Sequence, residues 1–571
     1  MSGGQRDLGT ETGTVTGTGA PRAWAGVVVL SVSLLMIGLD NTILNVALPT
    51  LQRSLDASTS QLQWIVDAYM LVFAGLLLTA GNLGDRVGRR RVLQAGLVVF
   101  GAGSALAAAA TTPAQLIGCR AFMGIGGALI MPSTLSIITN MFGGEQRARA
   151  IAVWTAVAGI GVALGPVTGG WLLQRFWWGS IFLVNVPISV LALLAGRRLV
   201  PESRDPMAGR ADLGGVTLSV AGLLSLVYGI IEAPTNGWTG PRTLGAFAAA
   251  ATILTVFIGW EIRSSHPMLQ LRLFRDRRFT AASVTISLAF LALFGVLFVM
   301  TQFLQLVLGY SAFEAGLRTL PVAAALILGS ALSTPATTRL GSTITVTAGM
   351  ILAGAGLVVA AAATTTRDYS PVLTTLLLCG LGIGLAMAPA TDSVMGSLPL
   401  EKAGVGSAMN DTARLVGGAF GVAVLGTVVS QVYRMRIDGT ANLLPEPIRG
   451  AVHESLQAAL HVAQQLNPSD QAALTAAARG AFTHAMQTAA LVGAGATLAA
   501  ALVALLRLPS RPSSGHRGGS TQQPRSHRRR HAAAVGTASR QPRSIRLQAP
   551  GSVQVGRHRR HLGRTGSSPN P

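Results

Sequence analysis

The 571-residue chain holds a single lysine, Lys402; its other basic side chains are arginine. A phosphate-cradling loop of the form G-x-x-x-x-G-K-[ST] needs a lysine. The surrounding "PLEKAGV" does not fit that form, so no ATPase motor of this kind is encoded. Cysteine is nearly as scarce. Cys119 and Cys379 lie inside apolar runs and read as small packing residues, which excludes a disulfide framework. Histidine offers no metal centre: His266 is in a loop, His453, His461 and His484 lie in or beside one polar segment, the other five are in the tail, and no H-E-x-x-H occurs. A polytopic metalloenzyme is therefore disfavoured. Aromatics make up only 5%, too few for an extensive cage around a cation. The first 21 residues are polar and have no apolar core, so no cleaved signal peptide is expected.

Charged residues are also few, at 12%, while half the chain is hydrophobic and mean hydropathy is +0.50. That composition excludes an ordinary soluble protein. Apolar runs of about 20 residues, enough to cross a ~30 Å hydrocarbon layer, recur between Trp24 and Leu506. About fourteen are expected, centred near Leu35, Phe73, Ala102, Gly126, Gly161, Val190, Leu223, Ile253, Phe294, Leu326, Leu357, Gly382, Val422 and Thr497. The grouping is six, two, six. It divides the chain into an N-terminal segment 1–21, a first bundle 22–200, a linker with two spans 201–275, a second bundle 276–507 and a basic tail 508–571. Within the second bundle, "NPSDQAALTAAARGAF" predicts a helical hairpin over 434–483, with Asn467 as cap, Pro468 in the first helical position and Asp470 in the first turn.

The basic residues orient the spans. Alternate short loops carry 17 arginines or lysines against 5 in the others, which places both termini in the cytoplasm. The net charge of +22 says less, because 13 of its arginines lie from Leu508 onward with no acid among them. That Arg/Ser/Gly/Pro-rich tail reads as disordered, as does the N-terminal segment. A solvated tail without a specific role is favoured over contact with anionic headgroups. No nucleic-acid partner is expected, since no groove-reading element is present.

Against this background, ionisable residues within the spans stand out, because an intramembrane charge costs roughly 3 kcal/mol or more and is tolerated where it functions. Asp40 sits in "LLMIGLDNTILNVALP". Low dielectric favours the neutral form of a carboxyl, so such a group can hold a proton in one state and release it in another. A helix-end polar residue satisfied locally is the alternative. Asp67 in "WIVDAYML" and Arg120 in "GCRAFMGIGGALIMPS" are further proton-coupling candidates. Asp392 is a possible cavity charge, as are Asp411 and Arg414, which fall three apart on one helix face. Trp64, Tyr69, Phe122 and Trp154 are candidates to line a cavity.

Two glycine-bearing motifs complete the pattern. "GNLGDRVGRRRVL" places Gly81, Asp85, Arg86, Gly88, Arg89 and Arg90 in a tight turn, where the acid can cap a helix or pair with arginine. "AGIGVALGPVTGGWL" gives one helix a bare, bendable face at Gly161, Gly165, Pro166, Gly169 and Gly170.

These motifs resemble those of the major facilitator superfamily. The turn is similar to its signature loop, and the corresponding "TTRLGSTITV" of the second half lacks the aspartate. The proline–glycine helix resembles the antiporter motif. "LDNTILNVALP" resembles the first-helix signature of the fourteen-span drug:proton antiporters. Arg120 and Gly124 fit the family's R-x-x-x-G, with Met123 where glutamine is common. The resemblance runs from about Trp24 to Arg507. It implies an all-α polytopic membrane protein of two six-helix bundles with two inserted linker helices. It further implies proton-coupled efflux of lipophilic drugs by alternating access, or dedicated export of an endogenous metabolite. Asp40, Asp67 and Arg120 would couple protons, and the signature loop would act as a conformational latch. No cofactor beyond the proton gradient, no enzymatic activity, a monomer and a bacterial cytoplasmic membrane are the accompanying expectations.

Overall fold

The computed structural model describes residues 20–508, apart from residues 143, 205–211, 265, 266, 268, 270, 367 and 398–402. The basic tail and nearly all of the N-terminal segment lie outside the described residues, as do Arg210, His266, Arg367 and Lys402. Helix α1 starts at Ala20, slightly before the expected boundary.

The first half consists of α1 (Ala20–Leu55), α2 (Thr59–Val87), α3 (Arg89–Ala108), α4 (Pro113–Met141), α5 (Gly144–Arg175), and the short α6 (Ser180–Leu183) leading into α7 (Asn185–Leu199). Helices α8 (Leu213–Asn236) and α9 (Pro241–Arg263) form the linker pair. The second half comprises α10 (Arg277–Gln302), α11 (Ala312–Leu340), α12 (Ser342–Val359), α13 (Ser370–Met395), α14 (Ala403–Ala441), the short α15 (Glu446–Glu454) and α16 (Leu456–Ala463), and α17 (Pro468–Arg507).

The sequence supplies the start signals locally. Ser58 and Gln61 form a reciprocal capping box at α2, and Ser311 and Glu314 form another at α11. Asp212 caps α8 and Asp276 caps α10. Thirteen helical stretches among the described residues are long and apolar enough to cross a membrane. The remaining expected span, centred on Gly161, falls in the 32-residue α5. Large apolar side chains on outward faces, such as Leu191 at 66% and Ile262 at 70% exposure, suit a lipid environment.

The two halves repeat one packing scheme. In the first, α1 packs on α5 and α7, α2 on α4, and α3 on α4 and α7. In the second, α10 packs on α14 and α17, α11 on α13, and α12 on α13 and α17. Even the turns correspond: Gly88 joins α2 to α3 at φ 124°, and Gly341 joins α11 to α12 at φ 84°, positions where a side chain is strained. The halves meet along two seams, α5 with α11 and α2 with α14, and α8 covers the second by packing on both of its helices.

One expectation changes. The cap at Asn467 is present, its Oδ1 accepting from Asp470 N at 3.0 Å, but it starts the last long helix and not a hairpin arm. No proline or turn signal interrupts the alanine-rich stretch that follows, so α17 runs for 40 residues. The predicted 434–483 hairpin is therefore confined to α15 and α16, with α14 and α17 extending past the bundle on either side.

Candidate functional site

The first half encloses a charged cluster at the centre of its packing. Asp40 on α1 and Arg120 on α4 are both buried. Arg120 Nη1 donates to Asp40 Oδ2 at 2.6 Å, and its Nε donates to the Ile65 carbonyl at 3.2 Å. The guanidinium carbon lies 4.1 Å from the centre of the Tyr69 ring, so the charge is covered on one face by an aromatic surface. Asn185, at the start of α7, completes the site: its Nδ2 donates to Asp40 Oδ1 at 3.0 Å and approaches Ser104 Oγ at 3.2 Å. Asn185 is neutral, and the sequence reading passes it over; the only local signal is an amide two residues beyond a short apolar helix. Helices α4 and α7 thus converge on a carboxylate of α1, and α3 supports them through Ser104 and Asn185. Such a pair exists in low dielectric only because its partners are fully provided, and removing one of them costs about 3–5 kcal/mol.

Glycine makes the convergence possible. A Cβ on Gly124 would stand 2.7 Å from the Tyr69 carbonyl oxygen, so α4 approaches α2 backbone to backbone and brings Arg120 over the ring.

The helix-5 motif is used in two directions. Gly161, Gly165 and Gly169 face α1, where Cβ atoms would meet the Leu35 carbonyl, Thr42 Oγ1 and Ile43 respectively. Thr42 Oγ1 also donates to the Val162 carbonyl at 3.0 Å, four residues before Pro166. Because Pro166 has no N–H, that carbonyl is released from the helix ladder and is free to accept it. Gly170 and Pro166 face the other half, where Gly170 lies against Phe313 and the Pro166 carbonyl against Gly316 of α11.

Between the halves, Thr42, Asn45, Val162, Ala163 and Pro166 face Leu293, Phe294, Leu297 and Leu320 across an apolar cavity of about 50 Å³. A drug-sized site needs roughly 300–1,000 Å³. The cavity is therefore closed around too little space in this state. The aromatics suggested as lining lie elsewhere: Tyr69 lies beneath Arg120, Trp64 beside Tyr228 of α8, Phe122 on the exterior, and Trp154 donates to Thr134 Oγ1.

The remaining acids are not gathered into this cluster. Asp67 is fully buried, and among the described residues neither of its oxygens has a hydrogen-bond partner. Asp392 is exposed near the end of α13. Asp411 lies 3.9 Å from Arg414 on α14, and Arg414 in turn reaches Thr391 Oγ1 at 3.4 Å.

The arginine-rich turn forms a second ionic group. Arg89 Nε contacts Asp85 Oδ1 at 2.8 Å. Glu202, in the link beyond α7, accepts from the Arg90 backbone N–H at 3.1 Å and lies 3.7 Å from Arg90 Nε and 3.8 Å from Arg91 Nε. Gly88 is required by its φ; a Cβ there would also stand 2.7 Å from the Glu202 carboxylate, a side-chain end that can shift aside. Gly81 has looser surroundings, and Arg86 is exposed. Glu202 is a second residue that the sequence reading leaves unassigned.

The arrangement can be compared with known proteins. The family model described as Major Facilitator Superfamily matches residues 30–422. The chain is 38% identical over 493 residues to the multidrug efflux pump LfrA of Mycolicibacterium smegmatis, covering 86% of this chain and 97% of that protein. It is 35% identical over 412 residues to the tetracenomycin C resistance and export protein of Streptomyces glaucescens, covering 72% and 76%. Among solved structures, a bacterial homologue of the human lysosomal transporter Spinster, in an inward-facing and unoccupied conformation, aligns with a TM-score of 0.61 at 17% identity, over 86% of this chain and 99% of that one. At that identity the likeness concerns the fold.

Proposed function

This chain belongs to the major facilitator superfamily, and we propose that it exports lipophilic drugs or antibiotics across a bacterial cytoplasmic membrane in exchange for protons, by alternating access. The observation that carries this reading is the buried Asp40–Arg120 pair. A paired carboxylate in low dielectric is a two-state element: protonation removes one charge, and the remaining guanidinium is left facing a neutral acid and an aromatic ring. Arg120 then has reason to move, and α4 with it. Asp40 shares its helix with Thr42, which bonds to α5, and with Asn45, which lines the inter-half cavity. A proton at Asp40 is thereby linked to the walls of the cavity through one helix.

The proposed orientation puts the arginine-rich turns and both termini in the cytoplasm. Substrate enters from that side or from the inner leaflet and occupies the cavity as it widens. Protons load Asp40 from outside, substrate leaves, and the proton discharges inward. A 100 mV potential gives ~2.3 kcal/mol per charge, which supports roughly a 40-fold gradient per proton without ATP. Asp67 is a second proton-coupling candidate, and the Asp85, Arg89, Arg90 and Glu202 group serves as the latch of one conformation. We read the chain as a transporter and not an enzyme.

A dedicated exporter of a metabolite made by the host is the second reading, favoured by the likeness to an antibiotic export protein of a Streptomyces. The test is expression in an efflux-deficient host with a compound panel and dye efflux, with and without a proton uncoupler. Energy-dependent efflux lost on uncoupling supports antiport; efflux indifferent to the uncoupler rejects it. Protection from a broad panel supports drug efflux, and protection from one compound class supports the dedicated exporter.

A further inference from the structure

The first two turns of α2 hold three separate parts of the chain. Thr59 Oγ1 donates to the Glu454 carbonyl at the end of α15, at 3.4 Å. Ser60 Oγ donates to Glu232 Oε1 on α8, at 2.6 Å. Gln63 Nε2 donates to the Val422 and Ala423 carbonyls of α14, at 3.1 and 3.0 Å. Gln63 fits there because Gly426 has no side chain to exclude it.

Each of those three parts belongs mechanically to the second half. Helix α8 is fixed to α14 by several bonds. Pro234 has no N–H, so it leaves the Ile230 carbonyl without its helical partner, and Thr427 Oγ1 of α14 fills that place at 3.0 Å. Arg434 donates to the Pro234 carbonyl at 3.2 Å, and Trp238 Nε1 to Gln431 Oε1 at 3.1 Å. The α15–α16 segment is likewise tied to α14: Tyr433 donates to the Val452 carbonyl at 3.2 Å, and His453 lies 3.5 Å from Asp438. By contrast, among the described residues the first half hydrogen-bonds to each of these elements through one side chain. The remaining α2–α8 contact is apolar, with Val220 against Gly75 and Tyr228 beside Trp64.

The bonds differ in how easily they open. Val422 and Ala423 keep their own helical partners within α14 when Gln63 leaves, so separation orphans no buried carbonyl there. Thr59 and Ser60 stand at a helix start beside solvent and can rehydrate. Breaking the Thr427 bond, in contrast, would strand the Ile230 carbonyl.

We propose that α8–α9 and α15–α16 travel with the second half, and that Thr59, Ser60 and Gln63 are positioning residues forming the releasable outer closure between the halves. The proposal rests on the transport reading above, and assigns three of the contacts that must part for substrate to leave; Gln305 Nε2 to the Val46 carbonyl and Gln174 Nε2 to Ser311 Oγ also join the halves.

The test uses the full chain with Cys119→Ser and Cys379→Ala. In one version Ser60→Cys is paired with Glu232→Cys, in the other Trp238→Cys with Gln431→Cys. Both pairs are bridged in dye-loaded cells with a reducible bis-methanethiosulfonate whose spacer replaces the length of the side chains removed, since the native contacts are made by side-chain ends. The first cross-link is expected to form and stop efflux, with reductant restoring it; the second is expected to form and leave efflux as it was. Efflux that persists through the first cross-link, efflux lost through the second, or failure of the first pair to cross-link overturns the proposal. If the protein without cross-linker moves no compound, the transport reading itself fails. The closure is still readable then through Ser430→Cys, which lines the chamber beneath α15–α16 together with Gln52, Gln302 and Gln457. Adding Gln63→Ala should raise its labelling by an impermeant maleimide roughly fivefold for each of the two hydrogen bonds lost. Unchanged labelling overturns the closure.

Discussion

Arg120 and Asp40, eighty positions apart in the chain, meet at 2.6 Å in the centre of the first half, with Tyr69 closing the face of the guanidinium. Asp40→Asn removes the charge that Arg120 was buried to meet. Uphill dye efflux in everted vesicles should fall to background. Thermal stability in detergent should also drop, since an unpaired buried arginine costs about 3–5 kcal/mol. Full-speed, gradient-powered efflux by this variant would end the coupling proposal.

Asn185 supports the same carboxylate from α7. Asn185→Ala should slow exchange about tenfold, the worth of one hydrogen bond to a charged group, while the protein still reaches the membrane. Initial rates over a substrate series will locate the loss: a positioning role lowers the maximal rate and leaves half-saturation nearly fixed.

Gly165 and Thr42 provide a packing cycle. Gly165→Ala drives a methyl group into Thr42 Oγ1 and toward the Leu39 carbonyl, and should destabilise by roughly 1–3 kcal/mol. Adding Thr42→Ala removes the oxygen but not the backbone, so part of the loss should return. Melting temperatures of the two single variants and the double variant measure this; strict additivity would show that the two sites do not touch.

In the arginine-rich turn, backbone geometry should outweigh the ion pairs. Gly88→Ala imposes a side chain at φ 124° and should cost roughly 1–3 kcal/mol. Glu202→Ala opens partly exposed pairs worth about 0–1 kcal/mol. The second variant should therefore melt near the parent yet show altered efflux rates that depend on ionic strength. Equal melting shifts for the two would contradict this ranking.

What was legible in the sequence was local. Span positions follow from runs of apolar residues, and the helix start at Asn467 follows from a side chain that reaches its own backbone. Asp40 stood out because a carboxylate in hydrocarbon needs a reason. Its partner Arg120 was visible as a residue, though no feature near either one specifies their contact. Neutral or loop residues such as Asn185, Glu202 and Ser60 were not legible, since their importance comes from what the fold places opposite them. The hairpin expectation went astray for a related reason. A start signal at Asn467 is local, but where the helix stops depends on what packs along its length.

The alternation along α5 has a further consequence. Gly161, Gly165 and Gly169 meet α1 largely through main-chain atoms, while Val162 and Ala163, their immediate neighbours, look into the cavity. Frame and lining are thereby separated residue by residue on one helix. Under the transport reading proposed above, single substitutions at Val162 or Ala163 would change which compounds are accepted without reopening the question of how α1 and α5 hold together.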